Sequence, residues 1–165
     1  MDFVLLADAP EALDTVALWY FEQWCRDSGR YSLEQVRQKL AQSTSTQGPP
    51  MLVLAKGHGV LVGAAELKIR EMPAFADYEF WLGGVYVAEH ARGKGLASAL
   101  VNEVLDRAKQ AGIRRLYLQT EDLSGGVYLR HGFTALQQAE SYGAKVLVMV
   151  ADLSLAKMAA KGEGQ

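Results

Sequence analysis

HARGKGLASAL, His90–Leu100, joins two different sequence patterns. Upstream, Phe80–Val87 is a run of aromatic, glycine and β-branched residues that reads as a strand. Downstream, Leu96, Leu100, Val104 and Ala108 recur at helical spacing, and Gly112 ends the pattern. Glycine at such a joint costs chain entropy that a stiffer residue would avoid. The cost is understandable if a ligand must lie against bare main chain. A helix N-terminus offers unpaired N–H groups and partial positive charge, and an anion uses both. Arg92, Gly93, Lys94 and Gly95, placed just before Leu96, are therefore a candidate phosphate cradle with two cations at its rim.

Working outward, Phe3–Ala7 reads as a short strand. Asp8, Pro10 and Glu11 read as the capped start of a helix through Leu13, Val16, Ala17, Tyr20, Phe21 and Trp24. Ser32 and Gln35 form a capping-box pair that opens a second helix to about Gln42, and STSTQGPP (43–50) is a loop. Met51–Ala55 and Val60–Ile69 flank the turn KGHG and make a hairpin. A third long strand, Glu79–Val87, contains Gly83-Gly84, a pair that suggests a bulge. Arg115–Thr120 is a strand. Asp122 is placed to cap a short helix through Arg130, stopped by Gly132; Gly125-Gly126 either delay its start or admit a close ligand. Phe133–Leu136 and Ala144–Ala151 complete the strands. The order β-α-α-β-β-β-α-β-α-β-β predicts an α/β (α+β) fold, a mixed and mostly antiparallel sheet with helices on both faces. One domain is expected over residues 1–153, followed by a loose tail over 154–165.

The chain has 165 residues, enough for one domain with a sizeable core. A net charge of −2 argues against nucleic acid as a partner. Cys25, the single cysteine, has no intrachain partner and lies among aromatics, so it reads as packing in a reducing compartment. Asp2 stands where a signal peptide wants positive charge, and no run approaches the roughly 18 apolar residues of a membrane span. A cytoplasmic monomer or homodimer, away from membranes, is expected. His58, His90 and His131 lack metal-ligand company, so no metal is expected.

Three glycine patterns compete for the loop. The Walker phosphate loop fails because Ala88 stands at its first glycine and Gly95 at its magnesium-binding hydroxyl. The dinucleotide fingerprint is met at Gly93 and Gly95 but broken at Ser98, and its strand lies mid-chain after a hairpin. The third, Arg-x-x-Gly-x-Ala, is satisfied by Arg92 to Ala97. In these residues the chain resembles the GNAT superfamily of N-acetyltransferases, whose pyrophosphate loop follows a Val-Tyr-Val strand, here Val85, Tyr86 and Val87. A second signature of that family, Tyr-x-x-x-Gly-Phe, appears as YLRHGF, Tyr128–Phe133. The specific likeness spans residues 79–136, and the element order also agrees.

The resemblance implies transfer of an acetyl group from acetyl-coenzyme A (acetyl-CoA) to a primary amine of a small molecule, peptide or protein. Transfer would be by direct attack in a ternary complex. The alternatives are an acyl-CoA sensor of the same fold without turnover, and an unrelated phosphate-binding module. By resemblance, Val85, Tyr86, Val87, Arg92, Gly93, Lys94, Gly95, Leu96 and Ala97 hold the cosubstrate. Tyr128 packs against it and protonates the departing thiolate. Glu79, at the start of the strand, matches a position where some members carry a glutamate base; Glu66, Glu121 and Asp122 are the other candidates. Glu121 stands where many members have asparagine. A base matters because a side-chain-like amine, with a pKa of about 10.4, is almost wholly protonated near pH 7. His131, in the last turn of its helix, reads as answering the helix dipole. The family's acceptor pocket would draw on Trp19, Tyr20, Phe21, Trp24, Tyr31 and Tyr142. At helical spacing these read first as core, while Trp24 and Tyr31 beside Glu34 would suit a small cationic amine.

Overall fold

The hairpin at Met51–Ile69 forms the middle of a seven-stranded sheet. The computed structural model describes residues 1–154. Its strands are β1 (Asp2–Leu5), β2 (Met51–Gly57), β3 (Val60–Ile69), β4 (Phe80–Val87), β5 (Arg115–Thr120), β6 (Phe133–Ser141) and β7 (Ala144–Asp152). They lie in the order β1-β2-β3-β4-β5-β7-β6, antiparallel throughout except between β4 and β5. Beyond Ser154, the expected tail lies outside the described residues. Among the described residues, no helix is long and apolar enough to cross a membrane.

β2 and β3 are apolar on both faces, as strands covered from both sides must be. Val53, Ala55, Ala65 and Leu67 pack with Leu100 and Val104 of α3 (Leu96–Gln110). Leu52, Leu54 and Ala64 pack on the opposite face with α1 (Leu13–Tyr20) and α2 (Leu33–Leu40). The expected helices on both faces are present. The capping box is also present: Gln35 N–H donates to Ser32 Oγ (3.2 Å) and Ser32 N–H to Gln35 Oε1 (2.9 Å).

Four details differ from the sequence reading. Asp8 caps nothing; Leu6–Asp8 and Pro10–Ala12 are separate 3-10 turns before α1. α1 then passes into a π-turn at Phe21–Cys25, where Arg26 N–H reaches back to the Phe21 carbonyl (2.8 Å). Asp122 does not cap the next helix. Its Oδ1 accepts from Ser124 N–H and Oγ–H, and the 3-10 segment begins later, at Gly126–His131. β6 runs to Ser141 because it is an edge strand, where polar Gln137, Gln138 and Glu140 remain in solvent.

Two irregularities in β4 open space beside the sheet. Its ladder to β5 consists of one aligned pair, Trp81 and Tyr117. That joint is clamped by stacked rings: Tyr78 lies on Tyr117 (4.2 Å, 4°) and Phe75 on Tyr78 (5.2 Å, 4°). Trp81 Nε1–H donates to the Tyr78 carbonyl (2.6 Å). Three residues later, the pairing with β3 slips. Glu66 faces Gly83 while Ala64 faces Tyr86, so Gly84 and Val85 together oppose Ala65. This is the bulge that Gly83-Gly84 suggested.

Candidate active site

α3 starts at Gly95, whose φ is +79°, shortly after Gly93 at +80°. Both conformations favour glycine. A Cβ at either would meet nothing within 4 Å, so the space above this backbone is open. No side chain caps α3, which leaves its first-turn N–H groups for a ligand. A pocket of about 340 Å³ lies here, lined by Val85, Tyr86, Val87, Arg92, Gly93 and Gly95, with Leu96 and Ala97. Lys94 alone of the expected cradle does not line it. Arg92 is fixed to the strand: its Nε donates to the Val87 carbonyl (2.9 Å) and its guanidinium lies 5.6 Å from the Tyr86 ring centre.

Trp24 and Val85 also line a second, larger cavity of about 620 Å³, so the two spaces adjoin. The larger one occupies the gap where β4 and β5 no longer pair, between Gly83–Val85 and Gln119–Thr120. Tyr128 lines it, half-buried and edge-on to Phe133 (6.1 Å). Burial pushes its phenol above the usual tyrosine range, and the nearby charge of Glu71 adds to this. The 3-10 segment carrying Tyr128 is tied to α3 through His131. Nδ1 lies 2.9 Å from Asn102 Oδ1 and Nε2 2.7 Å from Ser98 Oγ. Since the amide oxygen only accepts, Nδ1 carries the proton and Nε2 accepts from Ser98. Burial and Arg130 lower the His131 pKa, which fits a neutral imidazole. The residue is a tether between two elements rather than a partner for a helix dipole.

The carboxylates divide differently from the sequence expectation. Glu79 is not among the residues lining the cavity; its Oε2 is 2.7 Å from an Arg70 nitrogen, in an exposed ion pair. Glu66 lines the cavity, buried on β3 across from Gly83. Lys68 Nζ stands 2.8 Å from Glu71 Oε1 and 3.8 Å from Glu66 Oε2. Burial raises the Glu66 carboxyl, and Lys68 pulls it back. Lys68 itself, despite burial, is held above the usual lysine range by the two carboxylates. The hydroxyl of Tyr20 and Oε2 of Glu71 are buried with no protein partner among the described residues. Gly84 makes room for this group. A Cβ there would stand 2.7 Å from Tyr20 Oη and 2.8 Å from Glu66 Oε2. Glu71 escaped the sequence reading because it follows β3 in an irregular loop, and no spacing pattern signals that it folds back onto Lys68.

Glu121 and Asp122 line the cavity at an exposed rim, and the Ser124 hydrogen bonds hold Asp122 below the usual aspartate range. Cys25 lines the cavity too, but burial pushes its thiol up, which fits packing rather than nucleophilic chemistry. Of the aromatic candidates, Tyr20, Trp24 and Tyr31 line the cavity, while Trp19, Phe21 and Tyr142 do not. Trp19 instead stacks on Tyr86 at 5.0 Å. Glu34 is absent from the lining; its carboxylate takes a long hydrogen bond from Gln38 (3.4 Å) on the exposed side of α2. Arg30 and Lys39 stand in the cavity wall instead. Among the described residues, no group of three or more His, Cys, Asp or Glu is placed to hold a metal ion.

The sequence matches the acetyltransferase (GNAT) family over residues 11–133. Among solved structures, an aminoglycoside 6'-acetyltransferase type Ii aligns with a TM-score of 0.70 at 16% identity, over 93% of this chain and 97% of its own. A ribosomal-protein-alanine N-acetyltransferase from Brucella melitensis aligns with a TM-score of 0.70 at 20% identity, over 92% and 99%. An aminoglycoside 6'-N-acetyltransferase complexed with coenzyme A aligns with a TM-score of 0.71 at 12% identity, over 93% and 97%. No match is found among curated proteins. At such identities the structural likeness concerns the fold, while the sequence match to the family covers most of the chain. The chain belongs to the GNAT family of acetyltransferases.

Proposed function

We propose that this protein transfers an acetyl group from acetyl-CoA to the primary amine of a small molecule or peptide, by direct attack. One observation carries the reading: the pocket over the Gly93–Ala97 loop adjoins a cavity that holds both a half-buried phenol and a buried carboxylate. The loop's N–H groups receive the diphosphate. The edge of β4 freed beyond Trp81 offers main-chain partners to the peptide-like pantetheine arm, which directs the thioester past Val85. The bound cosubstrate supplies an activated acetyl group.

Glu66 takes a proton from the acceptor ammonium, and burial suits it to that role by raising its carboxyl toward neutral pH. The freed amine forms the C–N bond to the acetyl carbon as the C–S bond breaks. Tyr128, protonated throughout the neutral range, gives its proton to the leaving thiolate, and the second proton lost by the acylated nitrogen restores the phenol. Glu66 carries the base role better than Glu79, which is engaged with Arg70 away from the cavity. Two structural neighbours, named for aminoglycosides and ribosomal-protein alanine, support small-molecule or peptide amines as the acceptor range.

The test is calorimetric titration with acetyl-CoA, followed by thiol release in the presence of amines. Binding with amine-dependent thiol release is expected. Binding without turnover across a broad panel would leave an acyl-CoA sensor, and the absence of binding would refute the assignment.

A further inference from the structure

Besides Lys68, the larger cavity is lined by two further cations, Arg30 and Lys39, and both are held in place. Arg30 lies with its guanidinium carbon 4.0 Å from the centre of the Tyr142 ring. Lys39 Nζ is 4.4 Å from the centre of the Tyr31 ring and 3.3 Å from its hydroxyl. The two phenol oxygens are 3.1 Å apart, which joins both cation–ring pairs into one unit between α2 and the β6–β7 turn. Neither Arg30 nor Lys39 has a carboxylate within 4.0 Å among the described residues. Nε of Arg30 is buried and has no acceptor among them. A buried donor without an acceptor is costly, and a charged donor more so. A planar guanidinium is also the side chain best matched to a carboxylate.

Both ends belong to one site. Arg30, Lys39, Glu66 and Glu71 line the same 620 Å³ space, a volume typical of small-molecule pockets. The charge of Lys39 is felt at Glu66, where it opposes the effect of burial. The cavity therefore offers a carboxylate to an amine and cations to an anion.

We propose that the acceptor is a small amine carrying its own carboxylate, an amino acid, with its carboxylate on Arg30 and Lys39 and its amine toward Glu66. This inference rests on the transferase reading and narrows its substrate class. It opposes the cationic acceptor that Trp24, Tyr31 and Glu34 suggested from sequence.

The experiment compares matched acceptors: tyrosine, phenylalanine, histidine, methionine and glutamate, each with its α-carboxamide and its decarboxylated amine. Kanamycin and spermidine serve as polycations. The carboxamides control for basicity, because an α-amine beside an amide has a pKa of only about 8 and is the better nucleophile supply at neutral pH. At least one free acid is expected to exceed its amide and its amine about tenfold or more in kcat/KM. R30Q and, separately, the exposed-helix variant K39Q should shrink that ratio about 10- to 100-fold, mainly through KM, with R30K intermediate. Thermal midpoints check folding.

Amides, simple amines or polycations turning over as well as the free acids would overturn the inference. So would a ratio insensitive to both R30Q and K39Q, or no turnover of any free acid by protein that binds acetyl-CoA. Failure to bind acetyl-CoA would instead refute the transferase reading itself, and this inference with it.

Discussion

Replacing Gly84 with alanine tests whether the β4 bulge exists to admit polar groups into the cavity. Gly84 has φ +57°, a conformation that costs a residue with a Cβ roughly 1–2 kcal/mol. The new methyl would also stand 2.7 Å from Tyr20 Oη and 2.8 Å from Glu66 Oε2. Neither neighbour yields easily, since both are buried against packed elements. Overpacking of this kind costs about 1–3 kcal/mol. Together these give a loss of about 2–5 kcal/mol. Gly93→Ala is the control, with φ +80° but no atom within 4 Å of the added Cβ. It should lose only the conformational part, about 1–2 kcal/mol. Urea unfolding of both ligand-free variants, at equal m-values, measures the difference. G84A is expected to be less stable than G93A by about 1–3 kcal/mol, or roughly 2–12 °C in Tm for a domain of this size. The order should reverse for acetyl-CoA affinity, where the methyl at 93 intrudes on the open cradle. Equal stability of the two variants would show that Tyr20 and Glu66 do not crowd Gly84, and the account of the bulge would fail.

Glu66→Gln should lower kcat by about 10²- to 10⁴-fold while the Kd for acetyl-CoA holds, and Glu79→Gln should leave kcat within about twofold; equal losses from the two would return the base role to Glu79. Tyr128→Phe should lower kcat and abolish the fall in rate on the alkaline side, which in the unaltered protein begins above the usual tyrosine range. An unchanged rate across pH would remove the acid from the mechanism. His131 has a depressed folded pKa, so the neutral tether contributes stability fully above the unfolded value of about 6.5 and loses it as pH falls through the lower, folded value. Protection factors in the Gly126–His131 segment, taken relative to the intrinsic exchange rate at each pH, should therefore fall on acidification from pH 7 to 5, and His131→Gln should flatten that dependence; a segment equally protected at both pH values would contradict the tether.

How far the sequence reached depended on whether a residue's role is set locally. Gly93 and Gly95 sit where the backbone must turn into a helix, and Ser32 with Gln35 satisfy N–H groups three residues away, so each announces itself. The hairpin at 51–69 and the stripe of α3 follow from the pleat and the helical repeat. The π-turn at Phe21–Cys25 was hidden because aromatics spaced four apart satisfy an α-helix equally well. Most of β6 was hidden because an edge strand needs no apolar face. Glu79 is the instructive case. Counting back from Gly93 places it on the strand, but counting cannot see Arg70, which takes its carboxylate. Nothing in the sequence singles out Arg30 and Lys39, since their rings come from Tyr31 nearby and from Tyr142, more than a hundred positions along the chain.

The placement of the cavity follows from where the sheet is weakest. β4 is bonded to β3 along most of its length but to β5 at a single pair, so main-chain hydrogen bonding does little to hold the two halves of the sheet together. Ring stacking joins the halves instead, with Tyr78 and Tyr117 parallel at the joint and Trp81 fully buried beside them. A joint secured by side chains leaves the strand edge beyond it unpaired, and an unpaired edge is what an extended ligand requires. Three residues past the joint, the bulge at Gly84 supplies the second requirement, because an ordinary residue there would fill the space that Tyr20 and Glu66 occupy. The segment Trp81–Val87 thus holds the last pair with β5, the bulge and the Val-Tyr-Val edge within seven positions. One short stretch therefore both frees the strand edge and opens the cavity beside it. The acceptor contacts proposed above would come instead from residues on and beside α1, α2 and β3, outside this stretch.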